Sequence, residues 1–209
     1  MKILIGCEES QVICKEFRKL GHEAHSCDIQ ECSGGHPEWH LHMDVMDALE
    51  LMRWDLVILH PVCTKMSLSG NRHYGKDKPR HQERLDAIEW TVNLWNKAKS
   101  VCDKVALENP TSVIFKHLNA KVQYIQPYQF GHMERKKTGF ALHGLPELIP
   151  TDDVEEEMKK LSIKEQNRIW YMSPSEDRGK QRSKTYHGIA EGVATQWGFE
   201  QEPDEFELI

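Results

Sequence analysis

Apolar residues in this chain fall in short runs that stop at polar or proline-bearing turns, and between those runs they recur every three or four positions. Residues 56–59, LVIL, are wholly apolar and are followed at once by His60, Pro61, Val62 and Cys63. A short apolar run bounded by a turn signal predicts a strand buried on both faces, as in a parallel sheet covered by helices. Pro61 has no N–H for a sheet ladder, so the backbone leaves the sheet there and presents Cys63 from a loop at the strand's carboxyl end. In open α/β sheets that edge is where ligands bind.

The same grammar runs through the rest of the chain. Residues 2–5 predict a strand ending in Gly6, Cys7, Glu8, Glu9 and Ser10, and Val12, Ile13, Phe17 and Leu20 then fall at helical spacing up to Gly21, with Ser10 as the expected N-cap. Residues 23–27 predict a second strand that ends on Asp28, and residues 45–52 a helix preceded by Asp44. A long amphipathic helix is expected from Arg84 to Ala98, followed by a strand over 104–107 that ends in Glu108, Asn109 and Pro110. Two strands then deliver Cys63 and Glu108 to one edge. Residues 125–130 and 138–142 predict a late antiparallel pair, and residues 188–197 a small-residue helix that closes the sheet. The pattern as a whole predicts an α/β fold with a mostly parallel sheet and helices on both faces. Residues 69–84, polar and basic, and 151–184, acidic and then mixed, read as insertions.

Length and composition narrow the picture. A chain of 209 residues accommodates one α/β domain, here taken as 1–199 with an acidic tail at 200–209. No apolar run approaches the roughly 20 residues that span a bilayer, and the amino terminus is too short an apolar run for a signal peptide, so a cytoplasmic protein without membrane contact is expected. Six cysteines at positions 7, 14, 27, 32, 63 and 102 form no CxxC pair, which favours reduced thiols. Cys27, Cys32, His36, His40 and His42 could be read as a zinc set, but their spacing fits no common finger and a βαβ core needs no metal. The net charge of −6 argues against sequence-independent nucleic-acid binding over the whole surface and leaves room for local basic patches. At three positions two readings stand side by side. Cys63 is a small buried hydrophobe, as most free cysteines are, or a reactive thiol. Asp28 is a solvated turn residue or a ribose ligand, and Asp44 an N-cap or an adenine contact.

Taken in order, GCEES at 6–10, Asp28, Asp44, HPVC at 60–63, ENP at 108–110, FGHMERKKTGFAL at 130–142 and RSKTYHGIAEGVA at 182–194 resemble the motifs of the DNA cytosine-5 methyltransferases, especially the short phage and prophage members of that family. The series follows the family's order from residue 3 to about residue 197. It departs from the family in four places, one being the basic motif, whose glutamine and arginines are here Glu134, Arg135, Lys136 and Lys137. The glycine-rich cofactor loop keeps one glycine, Pro-Pro-Cys is Pro-Val-Cys, and no target-recognition domain fits between the basic motif and the last helix.

The resemblance implies a Rossmann-like S-adenosylmethionine-dependent methyltransferase fold and a nucleophile at Cys63, assisted by Glu108, Asn109 and Lys136. It further implies a cofactor site of Gly6, Cys7, Glu8, Glu9, Ser10, Asp28, Ile29, Asp44, Val45, His60, Pro61 and Ala190, with no metal. A thiolate would add to C6 of cytosine so that C5 can attack the methyl group, with Glu108 holding N3 and the exocyclic amine. A free thiol has a pKa of about 8.5, so a neighbouring cation is needed to lower it, and Lys65, His60 and Arg72 are the candidates. DNA is the implied substrate, with recognition left to a separate subunit or a homodimer. Two alternatives stay open: a methyltransferase for a free cytidine nucleotide, and a catalytically silent module that binds nucleotide or nucleic acid. Phosphate contacts are expected from the 69–84 loop and from Arg135, Lys136 and Lys137.

Overall fold

The computed structural model describes residues 1–175 and 178–199, so the acidic tail at 200–209 lies outside the described residues. Seven strands, β1 (Lys2–Gly6), β2 (Glu23–Asp28), β3 (His40–His42), β4 (Leu56–Leu59), β5 (Val105–Pro110), β6 (Lys121–Ile125) and β7 (Thr138–His143), form one sheet in the order β3-β2-β1-β4-β5-β7-β6. The first five run parallel, and β7 lies antiparallel between β5 and β6. Among the described residues no helix is long and apolar enough to cross a membrane.

Strand side chains alternate between two cores. Ile3, Ile5, Leu56 and Ile58 point to one face, where they meet α1 (Val12–Lys19) and the last helix, His187–Trp197. Leu4, Val57, Leu59, Val105 and Leu107 point to the other, against Leu94, Trp95 and Ala98 of a 21-residue helix, His81–Val101. All four residues of β4 are fully buried, as a run without polar alternation requires. At roughly 1.5–3 kcal/mol for each large apolar side chain buried, these central strands anchor the edge that carries the site. The last helix packs close because its residues are small: a Cβ on Gly192 would lie 2.8 Å from the Phe130 ring.

Several elements differ from the sequence expectation, each for a local reason. The start of α1 is not capped by Ser10. Its N-cap position is Gln11, at φ 57°, and the capping acceptor is Glu8, whose buried carboxylate takes the amides of Ile13 (2.8 Å) and Cys14 (3.3 Å). The expected helix over 45–52 is a single turn, α2 (Val45–Ala48), with Asp44 as N-cap accepting from the Met46 amide. Strand β3 has no apolar signature because it is three residues long and carries two histidines. The late strand falls at 121–125 and not 125–130, since Pro127 opens a 3₁₀ turn there.

The 69–84 stretch is folded. A helical turn, α3 (Asn71–Tyr74), precedes α4 (His81–Val101), and Tyr74 is buried. Arg84, expected among the basic groups, is buried within α4 and donates to the carbonyls of Lys65 (2.6 Å) and Ser67 (3.2 Å) and to Asn71 Oδ1 (2.6 Å). It staples the segment after Cys63 to the helix. The second insertion contains α5 (Glu155–Met158), α6 (Ile163–Gln166), α7 (Arg168–Tyr171) and α8 (Arg178–Ser183), and His187–Trp197 is α9.

Candidate active site

β4 pairs with β5 only from Val57↔Val105 to Leu59↔Leu107, whereas β5 continues against β7 through Pro110↔Thr138. Glu108 and Asn109 therefore sit inside a strand, not after one as the sequence indicated. On the side where β4 has turned away at Pro61, β5 has no neighbour, and the turned-away loop fills that space. Asn109, fully buried, donates from Nδ2 to the Pro61 carbonyl at 3.0 Å and ties the loop to the strand. Beyond Pro61 the chain closes a tight turn in which the Cys63 carbonyl accepts from the amides of Met66 (3.0 Å) and Ser67 (2.8 Å).

This arrangement brings Cys63, Glu108, His60 and Lys136 together. His60 Nδ1 lies 3.3 Å from Glu108 Oε2, while its buried Nε2 has no hydrogen-bond partner among the described residues. Burial and then the Glu108 carboxylate push the Cys63 thiol up, and Lys136 and Arg182 pull it down. Burial lowers the Lys136 ammonium, while Glu108 and Cys63 hold it up. The cations that face the thiol are thus Lys136 and Arg182, not Lys65, His60 or Arg72: Lys65 pairs with Glu83 at 3.2 Å. Lys136 donates to the Lys184 carbonyl at 3.0 Å and lies 5.5 Å from the Tyr186 ring. Arg135 and Lys137 lie over the rings of Tyr128 and Tyr124.

A second group lies at the ends of β1 and β2. Gly6 is packed so closely that a Cβ would stand 2.6 Å from Val45 Cγ2, so Val45 is a buried support of the loop. Cys7, at φ 61°, has its thiol raised by burial and then by the charges of Asp28, Cys27 and Asp44, which places those two carboxylates around it. Ile29, directly after Asp28, is 73% exposed. Three other expected contacts point elsewhere. Glu8 is turned into the start of α1, Glu9 accepts from Ser33, and Ala190 is fully buried in the core. Ser10 lies in the bend between Glu9 and Gln11.

The histidines and cysteines considered for zinc each engage other groups. Cys27 contacts the Met43 carbonyl, Cys32 contacts Gln11 Oε1, His36 contacts Glu38, and the rings of His40 and His42 meet the carbonyls of Gln30 and Ile29. Among the described residues no group of three or more His, Cys, Asp or Glu could hold a metal ion.

Sequence reasoning missed Gln11 and Arg182. Gln11 is fully buried, donates to Ser26 Oγ and the His36 carbonyl, and accepts the His36 amide, so it ties the 32–36 loop to α1. A glutamine beside a helix start carries no warning of that role. Arg182 lay within a basic run, and only the fold shows that it faces Cys63.

The sequence matches no protein-family model and no curated protein. Among solved structures the chain is similar in fold to the Entamoeba histolytica methyltransferase EhMeth, at 13% identity and a TM-score of 0.51 over 73% of this chain and 57% of that one. The S. pombe Dnmt2 methyltransferase matches at 13% identity, with a TM-score of 0.45 over 85% of this chain and 61% of that one. A Spodoptera frugiperda DNMT2 mutant matches at 16% identity and 0.44, over 72% and 56%. The chain thus spans 56–61% of the length of these three proteins. The sheet and the first of these likenesses define the fold class: a Rossmann-like α/β fold of the kind found in that methyltransferase.

Proposed function

We propose that the chain is an S-adenosylmethionine-dependent cytosine C5 methyltransferase acting on DNA, a single catalytic domain that works through a covalent adduct at Cys63. The observation that carries this reading is the convergence of Cys63, Glu108 and Lys136 over the ends of β4 and β5, beside the acidic pair Asp28 and Asp44.

The residues fit the nucleoside half of the cofactor. Asp28, at the tip of the second strand, suits the ribose hydroxyls, Asp44 suits an exocyclic amine, and the exposed Ile29 offers an apolar face for a base. The bound cofactor supplies an electrophilic methyl group. The chain's own groups do the rest. Cys63, once deprotonated, forms a bond from Sγ to C6, and the ring's electrons then make C5 nucleophilic. Glu108 holds N3 and the exocyclic amine by hydrogen bonds while negative charge develops on the ring, and His60 fixes the carboxyl by its contact to Oε2. Lys136 offsets the thiolate charge, and Asn109 holds the loop that aims it. After transfer, a water molecule takes the C5 proton, the C5–H electrons form the C5=C6 bond, and the C6–Sγ bond breaks with its pair returning to Cys63 as the thiolate, which restores the aromatic ring. A base within a duplex must be flipped out to reach Cys63, at a cost of a few kcal/mol.

With Tyr74 buried and Asn71 held by the Arg84 staple, Arg72 and His73 remain to meet nucleic acid there, which fits weak sequence discrimination or recognition supplied by another subunit. The test is methyl transfer to double-stranded DNA, single-stranded DNA and dCMP side by side, read by mass. Transfer to DNA at C5 is expected, and transfer to none of the three would sink the proposal. Calorimetry adds a second arm: Asp28→Ala is expected to weaken binding of the demethylated cofactor by about tenfold or more, as loss of a charge-assisted hydrogen bond predicts. Unchanged affinity would remove Asp28 from the site.

A further inference from the structure

Two cavities flank α1 on its outer side, of about 560 and 540 Å³, and both are lined by Lys15 and Lys19. Lys15, Lys19, Arg168 and Lys184 stand in the wall of the first against one carboxylate, Glu16. Lys15, Arg18 and Lys19 stand in the wall of the second with no carboxylate. In a chain of net charge −6 this is a marked concentration of positive charge. Little of it is cancelled locally. Glu16 pairs with Lys19 at 2.8 Å and His187 at 3.3 Å, and Arg168 pairs with Glu134, but Lys15, Arg18 and Lys184 make no ion pair among the described residues. The second cavity also has an aromatic wall, in which His36 stacks on Trp39 with centroids 3.7 Å apart and Arg18 lies 5.2 Å from the Trp39 ring.

Two wall residues of the first cavity adjoin Lys136. Its wall residue Lys184 accepts Lys136 Nζ through its carbonyl at 3.0 Å, and the Tyr186 ring of the same wall lies 5.5 Å from that ammonium. Lys136 in turn faces Cys63. An eight-residue helix is about 12 Å long, so α1 runs alongside roughly three or four consecutive phosphates of one strand. Cations spaced along a groove are what the phosphate backbone of a single strand requires.

We propose that this paired groove is a track for the nucleic-acid strand whose base enters the Cys63 site, with Lys15, Lys19 and Lys184 neutralising its phosphates. The identity of the strand rests on the methyltransferase reading above; its binding in the groove is measured separately from any chemistry.

The test is fluorescence anisotropy of labelled single-stranded oligonucleotides, one of about six nucleotides and one of about 24, titrated over a range of salt, the longer being enough to fill the groove as well as the site. The wild-type chain is expected to bind the longer strand more tightly and with a steeper salt dependence. Lys15→Gln, Lys19→Gln and Lys184→Gln combined should abolish the length preference and reduce the salt slope by about 2, at about 0.7 per phosphate contact on a single strand. The matching arginine triple should retain both, and it keeps the test intact if the glutamine triple fails to fold in a circular-dichroism melt. Lys97→Gln, Lys99→Gln and Lys121→Gln, which change net charge equally at distant positions, should leave the preference in place. A glutamine triple with the wild-type slope and preference would overturn the track, as would an equal loss in the distant control. Binding of heparin without binding of either oligonucleotide would overturn it too. If methyl transfer is absent from every substrate while the lysines still set the length preference, the cytosine reading falls and the track stands.

Discussion

Cys63→Ser is expected to cut methyl transfer by about 10⁴-fold or more, the scale seen when a covalent nucleophile is removed, while the fold and cofactor affinity stay as they are. The change is nearly isosteric. The Cys63 carbonyl still closes its turn with Met66 and Ser67, and Asn109 still holds Pro61. A serine hydroxyl is far less acidic than a thiol, so Lys136 and Arg182 cannot bring it to its anion. Burial raises the thiols of Cys7, Cys14, Cys27 and Cys102 as well; of these four only Cys14 faces a cation, Arg18, and it is fully buried in the core, so serine at those positions is expected to leave the chemistry in place. Mass-spectrometric detection of the covalent complex on a 5-fluorocytosine oligonucleotide checks the assignment directly. A complex formed by the serine variant at the wild-type rate would move the nucleophile elsewhere.

Lys136→Met is expected to lower the rate at neutral pH by roughly tenfold to a hundredfold and to shift the pH profile. The sign follows from the electrostatics of the pair. Lys136 favours the Cys63 thiolate, so its loss leaves burial and Glu108 to raise the thiol further, and each unit of rise costs about tenfold in thiolate. The wild-type rate is expected to climb with pH as Cys63 ionises. In the variant the same climb begins at higher pH, so raising the pH recovers part of the loss. Burial also lowers Lys136, so in the wild type the two groups titrate as one unit, and the rate falls again where the ammonium gives up its proton. Titration of the thiolate by its ultraviolet absorbance separates this from a change of shape. An unshifted thiolate curve in the variant would show that Lys136 does not act on Cys63.

Much of this arrangement could be read from the residues. The LVIL run and Pro61 located a central strand and its exit, and the small-residue helix at the end of the chain was legible from composition. Gly6, Cys7, Asp28 and Asp44 do gather around one edge, as the strand ends implied. What stayed hidden was pairing. Whether Glu108 lies in a strand or beyond it depends on β7, whose antiparallel register no local pattern encodes. Arg84 looked like a free surface cation because nothing local shows that it caps three acceptors in the preceding loop. Asn109 was expected near the chemistry, and its buried bond to Pro61 depends on two segments 48 residues apart. The basic groove was invisible for the same reason, since Lys15 and Lys184 come from opposite ends of the chain.

The carboxylate of Glu8 occupies the amides at the start of α1, which in many nucleotide-binding folds receive an anion from the ligand. The protein thereby fills that position with a carboxyl of its own, which burial pushes up from the usual carboxylate range. A ligand lodged at this edge gains nothing there from a terminal carboxylate, and its grip must come from the nucleoside end. Methylthioadenosine, which lacks the amino-acid portion of the cofactor, is therefore expected to compete within about tenfold of the full demethylated cofactor, since a forfeited charge-assisted bond worth about 1.5–3 kcal/mol is absent from both. A gap of several hundredfold in competition calorimetry would show that the amino-acid end is held by other groups of this edge. On this reading the chain recognises a thioadenosine first and an amino acid second.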